Sequence, residues 1–238
     1  MNPRPFFQIA NWLPHLAALL ALLVCARLAL WQIDRAEEKE LRLKQWQTAP
    51  TLTLNPESPP PRFATVSTTG VFDSRRHVLL DNQIRNGHPG VHVFTPFQPA
   101  DSETIYMVNR GWQPWDRNSD RAPQFSTPQG SIVITARVSD APRVGLKLGE
   151  AAPLDPTSWP NLMTYYDDQR IQEALNAKLA GDVLLLDPSH PAHLSGDEWP
   201  QVNIGPERHL GYAFQWASIG LAIFLIWLTL TYRKFRRA

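Results

Sequence analysis

The sequence predicts a membrane protein in which an N-terminal and a C-terminal transmembrane helix flank a mainly β (α+β) extracytoplasmic domain, an antiparallel meander with one packed helix. Three observations predict it: an apolar run near each end of the 238-residue chain, a period-two pattern between them, and basic residues gathered behind the second run.

From Leu13 to Trp31 run about 19 mostly apolar residues, roughly 28 Å of helix against a bilayer core of roughly 30 Å. Pro14 and His15 read as first-turn residues, where a missing N–H costs little, and Arg27 as a side chain that snorkels to the headgroups. A cleaved signal peptide is the alternative reading, opposed by continuation of the run through Leu28-Ala29-Leu30-Trp31 with no small-x-small cleavage site. A lipoprotein site at Cys25 would need a small residue where Val24 stands. The second run, Leu210 to Tyr232, carries Tyr212 and Trp216 near one interface and Trp227 and Tyr232 near the other, as an aromatic belt requires. Arg233, Lys234, Arg236 and Arg237 follow it, so the C-terminus is expected in the cytoplasm. Two passes then put the N-terminus there too and Ile33 to Arg208 outside, in the periplasm of a bacterial inner membrane.

The expected boundaries are a cytoplasmic N-terminus 1–9, a transmembrane helix 10–32, a helical extension and proline-rich linker 33–62 and a mainly β periplasmic domain 63–188. A return loop 189–208, a second transmembrane helix 209–232 and a basic cytoplasmic tail 233–238 complete the chain. In the extension, charges of both signs recur at helical spacing, with Glu40 and Lys44 in the favourable order, until Pro50. Strands are expected at 63–72, 77–82, 90–95, 104–109, 131–138 and 183–186, with Asn86-Gly87 as a turn between two of them. Ile171, Ala174 and Leu175 mark one helix over about 167–179.

Composition narrows the function. With 23 Lys+Arg against 22 Asp+Glu there is no concentrated basic face, so nucleic acid is not an expected partner, whereas the lipid bilayer is. The single cysteine, Cys25, lies in the first apolar run, which removes C-x-x-C redox pairs, C-x-x-C-H haem attachment and paired thiols for copper. No nucleophile elbow, phosphate-binding glycine loop or H-E-x-x-H motif occurs, so an enzyme is not the expected class. His190 and His193 sit in a proline-bounded loop, and a metal site there would need two further ligands that the sequence does not name.

His209 stands out by its place at the start of the second run, ahead of Tyr212, Trp216 and Gly220 on one helical stripe with Ala213 and Ala217 beside it. An imidazole above a small, aromatic-edged strip suits a flat porphyrin with His209 as axial ligand to iron. An interfacial histidine with an ordinary aromatic belt accounts for the same residues. Arg27, Trp31 and Arg35 recur every four residues at the outer end of the first run, and arginine suits carboxylates such as propionates; snorkelling anchors are the alternative. Asn109-Arg110-Gly111-Trp112 reads as a strand end and glycine turn that presents Arg110 and Trp112 at a membrane-facing edge, or as a structural turn with the tryptophan in the core.

Four blocks in order between the two runs closely resemble the Surfeit locus protein 1 family of cytochrome c oxidase assembly factors. They are Leu30-Trp31-Gln32 with Arg35 and Lys39; Thr69-Gly70-Val71-Phe72-Asp73 with Asn86-Gly87-His88-Pro89-Gly90-Val91-His92-Val93; Val108-Asn109-Arg110-Gly111-Trp112-Gln113-Pro114; and His209-Leu210-Gly211-Tyr212-Ala213-Phe214-Gln215-Trp216. Glu207-Arg208 stands where the family usually has asparagines, and Arg27 where a small or apolar residue is common. The resemblance implies a non-enzymatic inner-membrane factor that handles haem A, transiently, for the large catalytic subunit of a haem-copper oxidase. It implies His209 as the haem-iron ligand, and oxidase subunits and other assembly factors as partners. Tyr212, Trp216, Trp31, Arg35, Arg110 and Trp112 complete the expected haem-binding set. A scaffold that holds an oxidase assembly intermediate without touching haem is the rival reading.

Overall fold

A computed structural model describes residues 4–55, 58–116, 122–143, 149, 153–195 and 205–237. The chain divides into two compact units, Met1–Gln45 with Gln201–Ala238, and Trp46–Pro200. Much of the expected return loop, residues 196–204, and Pro56 of the expected linker lie outside the described residues.

In the first unit α1 runs unbroken over Arg4–Thr48, its last turn passing into the second unit, and α3 over Pro206–Arg237. Both are long and apolar enough to cross a membrane. Proline at the first position of α3 has a preset φ and lacks an N–H that would have had no partner. Pro14 is not a first-turn residue: α1 begins at Arg4, so the ring sits inside the helix and removes one backbone bond there.

Half-buried or buried positions on α1 recur at His15, Ala18, Leu22, Cys25, Ala29, Gln32 and Ala36, and on α3 at His209, Ala213, Trp216, Gly220, Ile223 and Trp227. The alternation of three and four is the spacing of a knobs-into-holes seam. Three contacts fix an antiparallel register: His15 to Trp227, Cys25 beside Gly220, and Gln32 to His209. A Cβ at Gly220 would lie 3.3 Å from that of Cys25, so the helices are close here because both residues are small.

Among its described residues the second unit holds one eight-stranded sheet and one helix. Its strands are β1 (Thr51–Thr53), β2 (Thr65–Phe72), β3 (Val78–Leu80), β4 (Gly90–Pro99), β5 (Ile105–Pro114), β6 (Ser131–Asp140), β7 (Asn161–Met163) and β8 (Leu179–Leu186). Their order is β1-β2-β6-β8-β5-β4-β3-β7, and a further pairing of β2 with β4 closes the five central strands into a small barrel. The expected meander is therefore corrected to a mixed sheet. β8 inserts between β6 and β5 and runs parallel to β5, and β1–β2 and β3–β7 are parallel as well.

Side-chain alternation explains why the central strands are apolar at nearly every position. Tyr106, Val108, Leu184 and Leu186 point into the barrel core with Val66, Ile134 and Phe97. Their neighbours Met107 and Val183 face a second core with Phe94, Met163 and α2 (Asp168–Leu175). Strands buried on both faces lose the hydrophobic–polar alternation of a half-exposed sheet. α2 starts where the Asp167 carboxylate accepts the Arg170 backbone N–H, and it buries Ile171 and Leu175, about 1.5–3 kcal/mol each. It stops at Asn176, left-handed at φ 49°, and not at Leu179 as expected; Leu179 already belongs to β8. The Asn86-Gly87 turn joins β3 to β4 with φ of 49° and 79°, the geometry of a tight hairpin.

Candidate functional site

At the start of α3 the His209 ring meets the Gln32 side chain of α1, Nδ1 to Oε1 at 2.8 Å. An amide oxygen only accepts, so Nδ1 carries the proton and donates it, and the lone pair of the neutral ring is on Nε2. Gln32 is buried at 9% exposure and is the one polar residue in the surrounding stretch of the α1 seam. Its role was missed by sequence reasoning, although a glutamine on an otherwise small or apolar stripe was a visible signal.

The other expected residues of this end divide between two surfaces. Trp216 lies half-buried in the seam with Ala213 and Gly220, whereas Tyr212 is exposed on the outer flank of α3. Trp31 and Arg35, within one turn of Gln32, occupy an exposed flank of α1, with the Arg35 guanidinium 5.9 Å from the centre of the Trp31 ring. Arg35 also donates to Glu38 at 2.5 Å, so its charge is partly met. The unit thus offers a histidine with a defined free nitrogen, a half-buried indole, and an exposed cation–aromatic pair near the glutamine that orients the histidine.

Arg110 and Trp112 need correction. The segment is not a strand end followed by a turn: β5 continues to Pro114, and Asn109-Arg110-Gly111-Trp112 forms a bulge against His92 and Phe94 of β4. Gly111 has φ 117°, and a Cβ there would collide with the Ser195 carbonyl oxygen and approach the His193 ring to 3.2 Å. Arg110 is 1% exposed. It donates to the Ala192 carbonyl (2.9 Å), the Thr127 hydroxyl (2.7 Å) and the Ser126 carbonyl (2.6 Å), and sits between the Phe72 and Phe125 rings at 5.6 Å each. Burial pulls its pKa down to about 10, which leaves it charged at neutral pH. Trp112 spends its indole N–H on the Gln83 carbonyl at 2.8 Å and lies across Gly90.

The bulge holds a strap, residues 187–195. Leu194 donates to the Arg110 carbonyl at 2.7 Å, Trp112 donates to the Ser195 carbonyl at 2.9 Å, and the Ser195 hydroxyl donates to the Trp112 carbonyl. His190 joins the strap to β6 through Val133. Among the described residues no three His, Cys, Asp or Glu side chains gather as a metal site.

His77 stiffens the same region. Its Nε2–H donates to the Ser74 carbonyl (3.2 Å), its Nδ1 accepts from the Thr95 hydroxyl (3.0 Å), and its ring packs edge-on against Phe125. Burial lowers its pKa from 6.5 to about 4. The folded pKa is depressed, so the neutral ring's contribution is complete above pH 6.5 and is lost as pH falls through about 4. The thermal midpoint of the sheet-rich unit is expected to fall between those values. His77→Gln should flatten that part of a midpoint-against-pH curve; an unchanged slope would remove His77 as its source.

The SURF1 family model matches residues 19–221, from the first helix through the sheet to the second, and so includes Gln32 and His209. The chain is similar to the SURF1-like protein of Caenorhabditis elegans, 26% identical over 231 residues, which covers 87% of this chain and 67% of that protein. The SURF1-like protein of Drosophila melanogaster is 28% identical over 144 residues, 60% of this chain and 45% of its own length. That of Rickettsia felis is 26% identical over 233 residues, 92% of this chain and 96% of its own length. The chain therefore spans about two thirds of the worm protein, less than half of the fly protein, and nearly all of the bacterial one.

Proposed function

The chain belongs to the SURF1 family, in general a family of cytochrome oxidase assembly factors, and on that premise we propose that it binds haem A and aids its insertion into the large oxidase subunit. The role is non-catalytic. The observation that carries the haem reading is the pairing of His209 with Gln32 at 2.8 Å, which leaves Nε2 as the basic nitrogen of a neutral imidazole. That is the tautomer an axial iron ligand needs, and a hydrogen bond to the other ring nitrogen is the usual device for holding it. The donor set fits the group: an imidazole lone pair for iron, Trp216 as the aromatic surface in the seam, and Arg35 beside Trp31 for a propionate. Bound haem would supply iron and a flat aromatic surface; the chain supplies the ligand, the orientation and the apolar flank. Arg110 and Trp112 are engaged within their own unit and are not part of this proposal.

Isolation of the full chain from cells that make haem A tests this. Co-purifying haem A absorbance in proportion to protein is the expected result. Protein that supports oxidase assembly but carries no haem would replace the proposal with the scaffold reading.

Both long helices are proposed to cross the bacterial inner membrane, with the sheet-rich unit in the periplasm and both termini in the cytoplasm. The basic cluster after Tyr232 supports this orientation. A reporter active only in the periplasm should work when fused after Pro128 and fail after Ala238. The opposite pattern would reverse the topology.

A further inference from the structure

At the end of the helix pair away from His209, α1 and α3 border a groove of about 410 Å³, lined among others by His15, Ala18, Ile223, Trp227 and Thr231. The Trp227 indole N–H donates to His15 Nδ1 at 2.8 Å. An indole nitrogen only donates, so Nδ1 holds the lone pair and the neutral ring carries its proton on Nε2. The two histidines of the pair are thus fixed in opposite tautomers: His209 offers an electron pair, and His15 an N–H. Thr231 offers a second donor. Ser218 and Thr229 spend their hydroxyls on the carbonyls of Phe214 and Leu225, one turn back, whereas the Thr231 hydroxyl makes no such bond among the described residues. Lys234, at the rim, already interacts with a group of its own, so what the groove presents to a ligand is a pair of neutral donors.

In a bilayer an N–H or O–H left without an acceptor is costly, because no water is at hand to replace it. His15 reaches across from α1 at the level of Trp227, and Thr231 lies one turn, about 6 Å, further along α3. A matching ligand therefore carries two acceptors on opposite sides of a small body and needs no donor of its own. The neighbouring side chains are aromatic: ring contacts run from Trp12 to His15 (6.5 Å), from His15 to Trp227 (5.8 Å) and from Trp227 to Phe224 (6.0 Å). Rings set edge-on and tilted to one another favour a further ring over an acyl chain. Toward the middle of the helices the lining turns aliphatic, with Ala18 on α1 and Ile223 on α3, which suits an apolar tail. A ring with carbonyls on opposite carbons and one such tail is a lipophilic quinone.

We propose that this groove binds a lipophilic quinone in its oxidised form, with one carbonyl accepting the His15 Nε2–H, the other accepting the Thr231 hydroxyl, and the tail along Ala18 and Ile223. Reduction would turn both carbonyls into hydroxyls, and His15, whose lone pair is committed to Trp227, has nothing with which to accept from them; the quinol is the weaker ligand. The proposal rests on the reading that both helices cross the membrane, and it does not depend on haem at His209.

Trp227 serves as the reporter. The full chain is reconstituted in phosphatidylcholine vesicles, and the Trp227 signal is the difference between wild type and Trp227→Phe. Decylubiquinone should quench that signal saturably. Thr231→Val, which keeps the shape and removes the hydroxyl, should raise the half-saturating mole fraction about fivefold, the factor for one neutral hydrogen bond. Quenching that rises linearly with quinone, or that is the same in Thr231→Val, reflects partition into the bilayer and overturns the site. Saturation seen only in vesicles of ether-linked lipid, which lacks ester carbonyls, would mean that a lipid ester fills the groove, and it overturns the quinone. Brominated phosphatidylcholine tests the premise separately. If it quenches Trp227 while decylubiquinone does not saturate, the helices span and the site alone falls; if neither quenches, the spanning reading and the site fall together.

Discussion

Replacement of Arg110 by methionine is expected to destabilise the sheet-rich unit by about 2–4 kcal/mol, a large share of the roughly 5–15 kcal/mol that holds a domain folded. The substitution keeps much of the side-chain volume but leaves the buried Ala192 carbonyl without its guanidinium donor, frees the part-buried Thr127 hydroxyl and Ser126 carbonyl, and removes the cation between Phe72 and Phe125. Buried acceptors that lose a charged partner cost the full desolvation penalty. Arg110→Lys should recover little, because an ammonium cannot reach acceptors on the 126–127 segment and the 187–195 strap in the planar fork that Nε, Nη1 and Nη2 now satisfy. Denaturation of the full chain in detergent, followed by tryptophan fluorescence, reads this directly. A variant with an unchanged midpoint and impaired oxidase assembly would return Arg110 to the list of ligand-binding residues.

The Arg110 case shows where sequence reasoning stops. An arginine next to a glycine and a tryptophan carries the local signs of an exposed turn, and its three acceptors come from segments 16 to 82 residues away, which no local pattern announces. The strands around it were legible because each is long and apolar on both faces. β1 and β7 were not, since three residues are too few to establish a period, and both sit at sheet edges where parallel partners secure them. The order of strands was hidden for a similar reason: β8 pairs with β5 across the intervening β6, β7 and α2, a non-local choice made by the fit of two cores. At the other unit the apolar runs declared themselves by length, and His209 by its place at the end of one. Gln32 did not, because its meaning depends on a partner 177 residues away.

That partnership yields the second large effect. His209→Ala is expected to abolish haem A retention by the purified chain while the thermal transition of the sheet-rich unit stays within about 0.5 kcal/mol of wild type, since the histidine makes its hydrogen bond within the helix pair. Gln32→Leu should be milder in kind: the ligand remains, but nothing holds its proton on Nδ1, and the Nε2 lone pair is available only part of the time. Loss of such an orienting partner typically weakens metal affinity by about 10–100-fold. Gln32→Glu keeps an acceptor at the same place, strengthens the basicity of Nε2, and should retain haem at or above the wild-type level. A merely structural glutamine would behave otherwise, because a carboxylate in a close-packed apolar seam costs more than a leucine of similar size. The order of haem content, Glu at least equal to Gln, then Leu, then the His209 variant, is therefore the signature of a positioned ligand. Haem content that is unchanged in His209→Ala, or higher in Gln32→Leu than in Gln32→Glu, would mean that this histidine is an interfacial residue and that haem, if carried, is held elsewhere.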